Sequence, residues 1–173
     1  MHKIFKQLLA IATCKIRFAE KYLGPVALLA IRLQVGLVFW RSGMTKFANL
    51  DSARTLFEFE YLPLWQENHV KTILGLDIPF PVPDAGFASM SATITELTFA
   101  PLLMLGLGSR MAAFGIFMLT LTVDMFVYPG MIEHDYWMLT MAVIIALGPG
   151  KISADYFIRQ KWMPQDGNVS CKS

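Results

Sequence analysis

Charge is scarce in this sequence, and so is cysteine. Lys, Arg, Asp and Glu make up 16% of 173 residues, where a soluble domain carries roughly 25%. A net charge of +2 with no basic, aromatic-interleaved stretch excludes a nucleic-acid surface. Two cysteines, Cys14 and Cys171, lie near opposite ends and form no CxxC, which leaves a disulfide framework and a thiol relay without support. Both are expected as free thiols on a reducing face of a membrane. The three histidines, His2, His69 and His134, show no paired ligand spacing, and HExxH, Walker, GxGxxG and nucleophile-elbow patterns are missing. No bound metal is expected. Met111, Met118 and Met125 recur every seven residues and thioethers suit Cu(I), but methionine is equally an ordinary filler of apolar packing.

What is present is apolar. Hydrophobic residues make up 55% of the chain, in runs long enough for a hydrocarbon core that needs about 20 helical residues. Four spans are expected, at about 25–44, 87–107, 111–128 and 136–147, with aromatic rings such as Tyr22, Trp40, Tyr128, Tyr136 and Trp137 near their ends. A soluble bundle would show polar helix faces, and Met111–Tyr128 has a single charge, Asp124. The expected fold is therefore an all-α, polytopic membrane four-helix bundle.

Cations set its orientation. Lys3, Lys6, Lys15, Arg17, Lys21, Arg110, Lys151, Arg159, Lys161 and Lys172 fall on one side of four spans; Lys46, Arg54 and Lys71 fall on the other. Both termini are expected in the cytoplasm, with residues 150–173 as a cytoplasmic tail. Residues 1–22 carry Ile4, Phe5, Leu8, Leu9, Ala12 and Ile16 at helical spacing among cations, as in an amphipathic helix lying on an anionic leaflet. The outer loop, 45–86, is long for so small a bundle. Its "NLDSARTLFEFEYLPLW" reads as a short helix capped by Asn49 or Asp51 and stopped before Pro63, and "IPFPVPDAG" as an extended return. Phe57, Phe59, Tyr61, Leu64 and Trp65 lie there either as a lid on the bundle mouth or as a lipid-hugging surface.

Ionisable groups inside spans are expensive and need partners. Four qualify: Arg32, Arg41, Glu96 and Asp124. At about 1.5 Å rise per residue, Arg41 sits about three-quarters of the way along the first span and Arg32 about a third. Glu96 falls slightly outside the midplane and Asp124 near the level of Arg41, with His134 at the outer mouth. Bidentate arginine–carboxylate pairs are the expected arrangement. They either lock the helices together or line a polar cavity. Pro101 removes a hydrogen bond to the Leu97 carbonyl and is expected to kink the second span beside Glu96. Gly36 and Gly43 are expected at a close helix contact.

Three stretches, "RLQVGLVFWRSGMTKF", "ELTFAPLLMLGLGSRMAAFG" and "LGPGKISADYF", resemble the DoxX family of bacterial four-helix membrane proteins. The resemblance runs through Arg32, Gly36, Phe39, Gly43 and Lys46, then Glu96, Gly106 and Arg110, then Gly148, Pro149, Gly150, Ser153 and Asp155. It implies a bacterial inner-membrane protein. Some members are membrane subunits of thiosulfate:quinone oxidoreductase, and others accompany thiol and superoxide detoxification systems. The "WRSGMTKF" and "ARTLFEFEYLPL" stretches are similar to a subgroup found beside maturation enzymes for metal-binding modified peptides.

The expected function is thus the membrane subunit of a redox-linked, quinone-interacting system. Glu96 and Asp124 would exchange protons, and Arg32, Arg41, Lys46, Trp40 and His134 would hold the ligand. Any electron-carrying cofactor would belong to a soluble partner protein. Alternatives are a non-catalytic membrane partner of a peptide-maturation, metal or oxidative-stress system, and a small-molecule or metal transporter acting as a homo-oligomer.

Overall fold

The computed structural model describes Thr13 and residues 19–64 and 83–162. Apart from Thr13, the expected interfacial helix before Ala19, residues 65–82 with most of the proline-rich return, both cysteines and the chain beyond Trp162 lie outside the described residues. Among the described residues the regular structure is all helical.

A wide turn at Ala19–Leu23 leads into α1, Gly24–Ala48, which starts on a proline whose fixed φ suits a first helical turn. Helix α2, Leu50–Leu56, follows at once, and its Asn49 cap accepts the Ser52 N–H at 3.0 Å. Helix α3, Ala85–Leu105, is capped by Asp84, whose carboxylate accepts from Gly86 and Phe87. It ends at Gly106, in the left-handed conformation (φ 75°) that releases its amide to the last turn. Helix α4 covers Ser109–Phe126, α5 Ile132–Leu147 and α6 Ala154–Trp162.

Helix α1 packs mainly on α3, α3 on α4 and α4 on α5, and α1 touches α5 to close the ring. Val35, Phe39, Leu103, Ile116, Met141 and Ile144 fill the centre. Among the described residues three helices are long and apolar enough to cross a membrane: Lys21–Ala48, Ala85–Leu105 and Ser109–Phe126. Only a third or less of each is buried (28%, 33% and 28%), so most of each surface is apolar and outward, as lipid requires. Met111 and Met118 lie on that outward face, and Met141 is in the core.

Two expectations change. The helix meant to stop before Pro63 continues to Leu64. It does so through a widened turn, Phe57–Tyr61, where the Leu62 amide reaches the Phe57 carbonyl. That shift in the ladder comes just before a residue with no N–H to place. The tail after residue 150 contains α6, whose first turn is capped by the Ser153 hydroxyl, accepting the Tyr156 amide at 3.2 Å. Around Pro101, α3 stays helical from Ala85 to Leu105.

Candidate functional site

Glu96 is buried on α3, and its partner is a lysine. Lys46 Nζ lies 2.6 and 2.7 Å from the two Glu96 oxygens. Ser42, one turn earlier on α1, donates to Glu96 at 3.2 Å and accepts from Lys46 at 2.9 Å. The arrangement follows from helix geometry. Ser42 and Lys46 are four residues apart on one face, and a helical side chain leans towards its N-terminus. Lys46 thereby reaches back to the level of Gly43, where α1 and α3 touch: a Cβ there would lie 3.1 Å from Glu96 Cβ and 3.0 Å from Leu97 Cδ2. Both side chains are largely withdrawn from the surface, Lys46 at 14% and Glu96 at 6% exposure. A doubly bonded ammonium–carboxylate pair is the form in which such charges are least costly.

A second pair stands apart. Asp124 on α4 lies 3.3 Å from His134 Nδ1 on α5. The His134 ring is 5.6 Å from that of Trp137, which packs edge-on against Phe39 of α1 at 5.4 Å. Aromatic carbon, not a polar chain, therefore joins the Asp124–His134 pair to α1.

The expected arginine–carboxylate pairs do not form. Arg41 is exposed and pairs with no carboxylate among the described residues. Arg32 is fully buried, at 0% exposure, but at the other end of the bundle. It lies eleven residues from Gly43, about 16 Å along the axis. There it donates to the Ile152 carbonyl and packs against Gly106, where a Cβ would overlap its guanidinium. Trp40 is half-buried against the core and belongs to neither pair.

At the α2 end, the chain after α2 folds over α3 and α4. Phe57, Tyr61, Phe87, Leu119, Val123 and Val127 help line an apolar cavity of about 180 Å³ there. Ala92, one turn from Glu96, is in its wall. Tyr61 lies tilted against Phe57 and meets Tyr128 edge-on, and the Tyr128 hydroxyl donates to Glu60. Burial raises the Tyr61 phenol above its ordinary value, reinforced by the charges of Glu60 and Glu96. Burial and the bond to Glu60 raise Tyr128 as well. Both phenols are thus held neutral, as hydroxyl donors, beside the cavity.

Sequence reasoning missed Ser42, Glu60 and the Tyr61–Tyr128 contact. Ser42 had a signal, its four-residue spacing from Lys46. Glu60 and Tyr128 are 68 residues apart, and no local pattern announces such a contact.

Residues 27–129, more than half of the chain, match the family model described as DoxX. No curated protein and no solved structure matches the chain.

Proposed function

The chain belongs to the DoxX family, and from that premise we propose that its α2 end binds a quinone headgroup for a redox-linked membrane system. The observation that carries this reading is the buried Lys46–Glu96 pair, set one turn from an apolar cavity walled by aromatic rings. A quinone is a flat apolar ring with two carbonyl acceptors and a lipid-soluble tail. The cavity suits the ring, the Tyr61 hydroxyl is a donor for a carbonyl, and the tail would leave along the outward apolar face. Reduction to the quinol takes two electrons and two protons. The electrons come from a soluble partner's cofactor. Glu96 takes a proton from the adjoining Lys46 ammonium and passes it to the ring oxygen. Lys46 is reprotonated from water at the bundle mouth, and Asp124 with His134 is a second proton station. In this reading the protein makes four crossings of a bacterial inner membrane with both ends cytoplasmic.

The test is quinone content by mass spectrometry after purification from native membranes in mild detergent. Near-stoichiometric quinone in the wild type and its loss in Glu96→Gln are expected. Absence from both proteins, with the variant merely less stable, would make the pair structural and turn the search towards docking partners.

A further inference from the structure

The end of the bundle opposite the Lys46–Glu96 pair holds a different kind of cavity. Its volume is about 290 Å³, and Arg110 and Met111 of α4 face Asp155, Ile158, Arg159 and Trp162 of α6 across it. On α6 these four residues recur at three- and four-residue spacing and so form one helix face. Its charge is one-sided in effect. The Asp155 carboxylate is consumed by the start of α4, accepting from the Gly108 amide at 2.8 Å, the Ser109 amide at 3.0 Å and the Ser109 hydroxyl at 3.2 Å. Arg110 spends one donor on a long 3.4 Å bond to the Ala146 carbonyl. Arg159 is exposed and forms no hydrogen bond or ion pair among the described residues. Two guanidinium groups thus stand at one cavity with most of their donors free.

The cavity's apolar side decides what kind of anion fits. Met111 begins a span and is 71% exposed, and Trp162 is 76% exposed. The wall therefore runs directly into a lipid-facing surface, at the depth where indole rings prefer to lie. Helix α6 also exposes Phe157 and Ile158 just before Arg159 and Lys161, the composition of a helix lying in the headgroup layer.

We propose that this cavity binds one anionic phospholipid, its phosphate held by Arg110 and Arg159 and its acyl chains running along Met111, Ile158 and Trp162. Guanidinium forks match phosphate oxygens in pairs. With Asp155 already committed, no free carboxylate among the cavity's residues receives a choline. Phosphatidylglycerol is therefore preferred to phosphatidylcholine. Nothing in this depends on the quinone reading, which concerns the other end.

Native mass spectrometry tests it, on protein offered equimolar dioleoylphosphatidylglycerol and dioleoylphosphatidylcholine in detergent. One phosphatidylglycerol per chain, retained at least tenfold over phosphatidylcholine, is expected. The double variant Arg110→Gln, Arg159→Gln is expected to lose that preference. Arg159→Gln alone removes no hydrogen bond or ion pair among the described residues and is expected to weaken retention at least threefold. Equal retention of the two lipids by the wild type would overturn the proposal, as would unchanged retention by folded Arg159→Gln. Displacement of the lipid by millimolar inorganic phosphate would also overturn it, since the site would then be one for free phosphate.

Discussion

Lys46 and Glu96 stabilise each other only as a pair. Removing one partner leaves the other as an uncompensated buried charge, at a cost of about 3–5 kcal/mol. Lys46→Met is therefore expected to destabilise strongly, and Lys46→Met with Glu96→Leu to recover most of the loss. Unfolding of the four variants in detergent measures the cycle, and additive losses would show that the pair contributes little. The same residues mark how far the sequence could be read. Glu96 was recognisable as a buried charge needing a cation, but Arg41 was the wrong one. At 100° per residue Arg41 lies 200° round the helix from Gly43, the point of contact with α3, whereas Lys46 lies within 60° of it. Depth alone had suggested Arg41, and azimuth rules it out. Arg32 has the converse history: it shares the face of Gly36 and Gly43, but its level on α1 brings it to Gly106.

Helix boundaries moved because caps, not hydrophobicity, set them. The second span was expected from residue 87, but it begins at Ala85 because Asp84 accepts two amides there. The fourth was expected from Tyr136, yet α5 begins at Ile132 and takes Glu133 and Asp135 into its first turn. Acidic residues look like loop to a hydropathy reading but are favoured at a helix N-terminus. Helix α6 was missed for a related reason: a nine-residue helix has no span-length pattern to detect. The α1–α3 contact, in contrast, was legible in the seven-residue spacing of Gly36 and Gly43. A Cβ at Gly36 would collide with Met104 Cγ and lie 3.3 Å from the Ala100 carbonyl oxygen. The methionine can swing aside, but the carbonyl cannot. Gly36→Ala is expected to cost about 1–3 kcal/mol, as overpacking does. Gly24→Ala, with nothing within 4 Å, is expected to stay within about 0.5 kcal/mol. Thermal unfolding in one detergent compares them, and equal midpoints would mean that the helices separate freely at Gly36.

For the whole molecule the open quantity is the number of crossings, and α5 decides it. Its 16 residues span about 24 Å, short of a hydrocarbon core of about 30 Å. Its path argues for a crossing all the same. Helix α4 leaves the Gly106–Gly108 turn, and α5 comes back to it: a Cβ on Gly148 would lie 3.5 Å from the Arg110 guanidinium, and one on Gly150 3.1 Å from Leu28 near the start of α1. In the four-crossing reading a helix that retraces α4 crosses with it, and local thinning of the bilayer makes up the difference. With four crossings, as proposed above, both chain ends fall on one side. The described cations at the turn end, Lys21, Arg110, Lys151, Arg159 and Lys161, are what that reading places on the cytoplasmic side. Cys14 and Cys171 report on the two ends without any substitution. In intact spheroplasts a membrane-impermeant maleimide is expected to label neither, and in lysed cells both. In a cysteine-free background, a cysteine replacing the exposed Thr55 on α2 is expected to be labelled from outside. If α5 failed to cross, Cys171 would be labelled in intact cells while Cys14 stayed protected. An inverted protein would expose both and protect position 55.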